Sequence, residues 1–161
     1  MVKAIIFDWG DTLMRDFKQY SGPMAYWEKV ELIEGAEHLL KSLSQNYVLC
    51  VATNAGDSDT SLMIKALERG NIHHYFKYFF SSKDLGYSKP NPLFFKTIAS
   101  YMNFAPQECM MIGNDYNKDI EGALSIGMKA IHFNETQSIV NNSKADYTVF
   151  KLKEIISILN S

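Results

Sequence analysis

Short, wholly apolar runs alternate along this chain with segments of helical periodicity, and this alternation restricts the fold more than any other feature. Six runs have the length of β-strands: Val2–Phe7, Tyr47–Ala52, Tyr78–Phe80, Met110–Ile112, Met128–Phe133 and Thr148–Phe150. Runs that are apolar throughout are typical of strands buried on both faces of a parallel sheet. Between them, apolar residues recur at helical spacing, as Leu39, Leu40 and Leu43 do. The pattern predicts an α/β fold: a doubly wound, mainly parallel sheet of five to six strands with helices on both faces.

The size and composition of the chain fit one domain of this kind. Its 161 residues are 47% hydrophobic and 21% charged, as in ordinary globular domains. The formal net charge is −2, which gives no basic excess for binding nucleic acid or a membrane surface. Cys50 and Cys109 lie in apolar runs, where buried free thiols are expected. No run reaches the ~18 residues of a membrane span. We expect one cytoplasmic domain over residues 1–161, without a nucleic-acid or membrane partner.

Polar side chains follow several of the predicted strands directly. Asp8 follows the first strand, Thr53 and Asn54 follow the second, and a polar segment begins after Gly113 at the end of the fourth. In a doubly wound sheet, ligands bind beyond the carboxyl ends of the strands. We therefore expect these side chains to meet at one edge of the sheet.

Four segments combine, in a fixed order, residues that suit phosphoryl chemistry. They are Phe7–Leu13, Ala52–Asn54, Gly86–Pro92 and Ile112–Asp119. Two carboxylates from different strands can hold Mg²⁺, which prefers hard oxygen ligands. A hydroxyl beside backbone N–H groups can bind phosphoryl oxygens, and a lysine offsets the negative charge that gathers there. A carboxylate in this setting can attack phosphorus and form an aspartyl-phosphate.

With these four segments in this order, the sequence from about Lys3 to Phe133 resembles the haloacid dehalogenase-like (HAD) superfamily. The stretch from Ser82 to Phe94 is the most specific, since it resembles the family's pattern of Ser, an acidic residue, Leu, Gly, Lys-Pro, Pro and Phe. The resemblance implies the family's Rossmann-like fold. It also implies a Mg²⁺-dependent phosphatase that acts on a phosphorylated substrate.

The resemblance further implies roles for single residues. Asp8 matches the catalytic nucleophile, which is also a metal ligand, and Gly10 sits where the family uses a backbone carbonyl as another metal ligand. Thr53 matches the phosphoryl-binding hydroxyl, with the backbone amide of Asn54 beside it. Lys89 matches the lysine that steadies both the nucleophile and the phosphoryl group. Asp8, Thr53 and Lys89 are thus the predicted catalytic residues, and Thr53, Asn54 and Lys89 the predicted substrate-binding ones.

The fourth segment supplies an acidic pair near the metal. Asp115 and Asp119 match that pair, and we interpret both as metal ligands. Many relatives carry the first acid directly after the glycine, where this chain has Asn114, so Asn114 is the alternative for that position.

One position departs from the family's phosphatases, which usually carry an aspartate two residues after the nucleophile. Gly10 stands there without a side chain, and Asp11 one residue later is either a helix cap or a displaced acid. General acid–base catalysis contributes roughly 10²–10⁴-fold. Two alternatives therefore stand beside the phosphatase: a HAD hydrolase of carbon–halogen or carbon–phosphorus bonds, and a degenerate phosphate-binding HAD protein with little turnover.

The chain also has little room for the cap domain that many family members insert. Residues 14–32 form only a short insert, and residues 57–85 are taken up by helix and strand. An uncapped site predicts a large substrate or one shielded by another subunit, and a homo-oligomer is compatible with this. A phosphoacceptor domain of the two-component receiver type uses similar residues, but their order along the chain differs.

Overall fold

The structure is a computed structural model that describes residues 1–161. It contains one six-stranded sheet in the order β3-β2-β1-β4-β5-β6, and all of its strand pairs are parallel. The strands are β1 (Ala4–Phe7), β2 (Val48–Thr53), β3 (Tyr78–Ser81), β4 (Cys109–Gly113), β5 (Lys129–Phe133) and β6 (Tyr147–Val149). The predicted doubly wound α/β fold is confirmed, and every strand overlaps a predicted apolar run.

Six helices connect or follow the strands: α1 (Ala36–Leu43), α2 (Thr60–Arg69), α3 (Ser82–Leu85), α4 (Pro92–Met102), α5 (Gly122–Leu124) and α6 (Lys153–Leu159). A π-helical turn over Tyr116–Glu121 leads into α5. Asp59 precedes α2 as its N-cap, and its carboxylate accepts the backbone N–H of Leu62 at 2.8 Å. None of these helices combines the length and the apolar character that crossing a membrane would require.

Alternate strand residues are buried on opposite faces of the sheet. In β1, Ile5 and Phe7 join an apolar cluster with residues of α1, α2 and α6. Ala4 and Ile6 face the other way and join a cluster with residues of α4 and α5. Helices therefore cover both faces of the sheet, which explains why the strand sequences are apolar throughout instead of alternating.

The register of the central strands brings their polar ends together. Strand β1 pairs with both β2 and β4, and its last residue, Phe7, lies opposite Val51 and Ile112. Asp8 follows Phe7 directly, and Thr53 ends β2 two residues beyond Val51. These polar residues consequently emerge side by side at the carboxyl edge of the sheet.

A long loop between β1 and α1 lies beside this edge. It contains residues 14–32, has one short 3-10 turn at Met24–Tyr26, and carries no inserted domain. Within it, Met14 forms an antiparallel bridge with Leu32. At the end of α2, the guanidinium of Arg69 donates to backbone carbonyls of the loop, at 2.6 Å in the case of Trp27. The loop is thus fixed against the body of the domain.

Candidate active site

A cavity of about 450 Å³ opens at the carboxyl ends of β1, β2 and β4. Its volume is within the range of small-molecule sites, and most of the side chains around it are polar. The structure brings all seven predicted site residues to its walls: Asp8, Gly10, Thr53, Asn54, Lys89, Asp115 and Asp119.

Lys89 forms the buried centre of the site. Its Nζ donates to Oδ1 of Asp8 and to Oδ1 of Asp119, each at 2.8 Å, and to the carbonyl of Ala52 at 3.1 Å. The side chain is only 2% exposed, and all three ammonium hydrogens are used. Burial by itself lowers the pKa of Lys89, but the carboxylates of Asp119 and Asp8 outweigh burial, so the pKa is raised. Lys89 is therefore held as a cation between the carboxyl groups of Asp8 and Asp119.

Asp119 is as deeply buried as Lys89, with a side chain 2% exposed. Its Oδ1 accepts from Lys89, and its Oδ2 accepts the backbone N–H of Asp115 at 3.0 Å. Burial, and then the charge of Asp8, raise the pKa of Asp119, while Lys89 and the N–H of Asp115 act against this rise. Because Asp119 is almost fully buried and its Oδ1 is bound to Lys89, these contacts favour a role for Asp119 in positioning Lys89.

Asp8 connects the lysine to the open part of the cavity. One oxygen accepts from Lys89, and the other accepts from the hydroxyl of Thr12 at 3.1 Å. Its backbone N–H donates to the carbonyl of Ile112 at 3.0 Å, which fixes Asp8 at the end of the β1–β4 pair. The side chain is 12% exposed. A carboxylate that is held so firmly, yet reaches the cavity, is suited to nucleophilic attack.

Thr12 and Asn114 lie beside Asp8, and the sequence analysis did not assign a role to Thr12. The Thr12 hydroxyl is 3.2 Å from Oδ1 of Asn114 as well as 3.1 Å from Asp8. The backbone carbonyl of Asn114 accepts from Nε2 of His132 at 3.1 Å, and burial lowers the pKa of this histidine. The amide oxygen of Asn114 is thus placed near Asp8, on the same hydroxyl. The spacing of Asp8 and Thr12, four residues apart around a turn, was the only sequence signal for this contact.

Asp115 lines the cavity but also has a local structural role. Its Oδ1 accepts the backbone N–H of Lys118 at 2.9 Å, so Asp115 is the N-cap of the π-helical turn. Its own N–H holds Asp119. Asn114 and Asp115 are therefore placed differently. Asn114 lies beside Thr12 and Asp8, whereas Asp115 caps the π-helical turn.

Asn54 and Thr53 shape the opposite wall. The side-chain amide of Asn54 forms two hydrogen bonds with the backbone of Lys89, accepting its N–H at 2.8 Å and donating to its carbonyl at 2.9 Å. The hydroxyl oxygen of Thr53 accepts the N–H of Ala55 at 3.1 Å. Asn54 thereby clamps the loop that carries Lys89 onto the end of β2, a contact that the sequence could not indicate.

Asp11, the predicted helix cap or displaced acid, forms a loop contact instead. It adopts a left-handed conformation with φ of 57°, and its Oδ1 accepts the backbone N–H of Asp16 at 3.1 Å. Its carboxylate also lies 3.6 Å from the guanidinium of Arg15. Asp11 is therefore occupied in shaping the loop that follows β1.

The chain belongs to the family of haloacid dehalogenase-like hydrolases, whose family model it matches over residues 4–133. It is 33% identical over 127 residues to the glyceraldehyde 3-phosphate phosphatase of Methanothermobacter thermautotrophicus, covering 73% of the chain and 55% of that protein. It is 28% identical over 134 residues to the pyrimidine 5'-nucleotidase PynA of Streptococcus pneumoniae, covering 81% of the chain and 55% of PynA. The chain thus spans about half the length of these relatives.

The fold has close counterparts among solved structures. The crystal structure of the HAD-hydrolase YfnB from Bacillus subtilis, bound to magnesium, matches with a TM-score of 0.83 and 20% identity. The match covers 99% of this chain and 99% of that chain. At this level of identity the likeness shows the shared fold alone.

Proposed function

We propose that the chain is a Mg²⁺-dependent phosphohydrolase that acts through an aspartyl-phosphate on Asp8. The observation that carries this proposal is the contact of Lys89 with the carboxylate of Asp8 inside a polar cavity at the carboxyl edge of the sheet. The relatives described above are named for the hydrolysis of phosphate esters, which supports the same reaction class.

Several residues contribute to the first step, in which Asp8 attacks phosphorus. Lys89 and Thr12 hold the two oxygens of Asp8, so the carboxylate needs little reorganisation before it attacks phosphorus. We assign the hydroxyl of Thr53, the backbone amide of Asn54 and the ammonium of Lys89 to the phosphoryl oxygens. A preorganised cation is most effective at such a site because water is partly excluded there.

The oxygen donors around Asp8 suit a magnesium ion. The carboxylates of Asp8 and Asp115, the amide oxygen of Asn114 and the backbone carbonyl of Gly10 are hard ligands, as Mg²⁺ prefers. No three His, Cys, Asp or Glu side chains are grouped to hold a metal, so water and substrate oxygens would complete the coordination. Bound Mg²⁺ would offset the negative charge of the phosphate group and of Asp8 as they approach each other.

The resemblance implies that Asp119 is a metal ligand. Since its side chain is only 2% exposed and its Oδ1 binds Lys89, we propose that it serves the metal only indirectly. Its direct role is to hold the ammonium of Lys89 in contact with Asp8.

Two features bear on the substrate and on turnover. The loop over residues 14–32 leaves the cavity open, which supports a phosphorylated substrate larger than the cavity itself. Gly10 supports a second candidate, a HAD protein that binds phosphate with little turnover, because no side chain at that position can transfer a proton.

Thermal melting with Mg²⁺ and beryllium fluoride, a mimic of the aspartyl-phosphate, tests the proposal without a choice of substrate. A ligand at a hundred times its Kd stabilises the folded state by about 2.7 kcal/mol. We expect the Tm of the wild type to rise only when both components are present, and Asp8→Asn to abolish the rise. Glu31→Gln, on an exposed acid outside the cavity, is the matched control and should keep it. A folded wild type whose Tm does not change would overturn the phosphoryl site.

A further inference from the structure

We propose that Asp16, in the loop that follows β1, is the general acid and base of this site. This inference rests on the proposed phosphohydrolase function. Hydrolysis of an alkyl phosphate requires a proton donor for the departing oxygen and a base for the attacking water. A second carboxylate beside Asp8 that water can reach would provide both.

The position of Asp16 follows from the space above Gly10. A β-carbon built on Gly10 would lie 3.4 Å from Cβ, 3.8 Å from Cγ and 3.8 Å from Oδ2 of Asp16. Apart from Gly10 and its two neighbours in the chain, the three heavy atoms nearest to that point all belong to this one side chain. The carboxylate of Asp16 thus stands beside the place that a side chain two residues after the nucleophile would occupy. Both Asp16 and Asp8 line the same cavity.

Two contacts hold Asp16 in this place. Asp11 accepts its backbone N–H at 3.1 Å, and the left-handed conformation of Asp11 turns the loop back towards Gly10. The ammonium of Lys18, which also lines the cavity, donates to Oδ2 of Asp16 at 2.7 Å. The side chain of Asp16 is 42% exposed, so water reaches its carboxylate, as a general base requires.

The other acids of the cavity are less suited to this task. Asp119 is bound to Lys89, Asp115 caps the π-helical turn, and Asp11 binds the N–H of Asp16. Neither Asp119 nor Asp115 has an atom among the three nearest neighbours of a β-carbon at Gly10, and the same holds for Asp57, which also lines the cavity.

The reaction would then proceed in two steps. In the first, a carboxylate oxygen of Asp8 bonds to phosphorus, the bond between phosphorus and the ester oxygen breaks, and that oxygen takes the proton of the Asp16 carboxyl group. In the second, a water oxygen bonds to phosphorus, the bond to Asp8 breaks, and Asp16 takes one proton of the water. The products are the alcohol and inorganic phosphate. Negative charge that the substrate brings into the cavity favours proton uptake by a neighbouring carboxylate.

Asp16→Asn tests the proposal with two substrates in the presence of Mg²⁺. With an alkyl phosphate such as glycerol 3-phosphate, we expect kcat to fall by roughly 10²–10⁴-fold. With p-nitrophenyl phosphate, the leaving group needs no proton, so the first turnover should remain fast while hydrolysis of the aspartyl-phosphate becomes slow. The variant should therefore release a burst of p-nitrophenol equivalent to the enzyme concentration. A merely structural role would lower the burst and the steady rate together.

A rescue and a control complete the experiment. Gly10→Asp introduced into the Asp16→Asn variant should restore the steady rate by at least tenfold, because it returns a carboxylate to the same space. Glu31 faces Lys29 at 3.2 Å, as Asp16 faces Lys18, but lies outside the cavity, and Glu31→Gln should leave both rates unchanged.

Three results would overturn the assignment. If the steady rates of Asp16→Asn stay within twofold of the wild type, or if burst and steady rate fall equally, Asp16 is not the acid–base group while the proposed function stands. A wild type that turns over neither substrate would overturn the proposed function together with this inference.

Discussion

The carboxylate of Asp119 packs directly over the α-carbon of Gly113, where it leaves no space for a β-carbon. Gly113 is the last residue of β4, and Asp119 approaches from the π-helical turn. This close approach lets Asp119 reach Lys89 from the next segment of the chain. The glycine at the end of this strand is therefore required by the charge arrangement of the site.

Gly113→Ala should consequently damage both stability and activity. The added methyl group forces the carboxylate of Asp119 away from Lys89. Overpacking of this kind lowers the free energy of unfolding by about 1–3 kcal/mol. Urea unfolding measures the loss in free energy of unfolding, and turnover of p-nitrophenyl phosphate should fall as Lys89 loses a partner.

Gly56→Ala is the matched control for stability. A β-carbon on Gly56 meets no atom within 4 Å, so its free energy of unfolding should stay within about 0.5 kcal/mol of the wild type. Equal stability of the two alanine variants would contradict the packing of Asp119 against Gly113.

Lys89→Met should be the most destabilising single change at the site. It removes the cation between Asp8 and Asp119, and breaking a buried ion pair from one side typically costs about 3–5 kcal/mol. Urea unfolding at neutral pH measures this loss. Lys18→Met, in which the lost ammonium belongs to a side chain 80% exposed, should change stability by less than about 1 kcal/mol. Similar losses in the two variants would show that Lys89 is not held as the structure describes.

Because two thiols are buried, we expect the free energy of unfolding to fall at alkaline pH. Burial raises the pKa of Cys50 and of Cys109, the latter to about 11 from an ordinary 9.0, and the charge of Cys109 adds to the effect on Cys50. Because the folded-state pKa is raised, the stabilisation is present below the ordinary thiol pKa and is lost as pH rises towards the folded-state value.

The measurement is the slope of unfolding free energy against pH across this window. Wild type should lose more stability across this window than the double variant Cys50→Ala, Cys109→Ala, which lacks both thiols. The lower absolute stability of the variant does not matter, because the slopes are compared. Parallel slopes would exclude the thiols as the cause.

The sheet could be predicted because its strands are buried on both faces. Val48–Thr53 and Cys109–Gly113 are recognisable as apolar runs without alternation, and helical periodicity identified the segments between them. The predicted site residues line one cavity for a related reason. Asp8 and Thr53 occupy strand ends, and parallel strands in register bring their ends to one edge.

The details that the sequence could not supply depend on loop geometry. Asp16 is eight residues beyond Asp8 in the chain, and only the left-handed turn at Asp11 returns it to Gly10. Asn114 and Asp115 are adjacent in sequence, yet one contacts Thr12 and the other caps a turn. Side-chain direction at such positions is set by the backbone of irregular segments, for which no periodicity exists.

The sheet order also has a consequence for how the chain folds. Strand β1 is made first during synthesis, but one of its two partners, β4, lies more than half of the chain later, with Ala4 opposite Cys109. Contacts of such long sequence separation form slowly, and an unpaired apolar strand edge can associate with other chains. Until β4 docks, Ala4–Phe7 keeps one open edge, and the cavity lacks the residues that follow β4, among them Asp115 and Asp119. Nascent chains that stop before β4 should therefore depend on chaperones far more than the finished domain does.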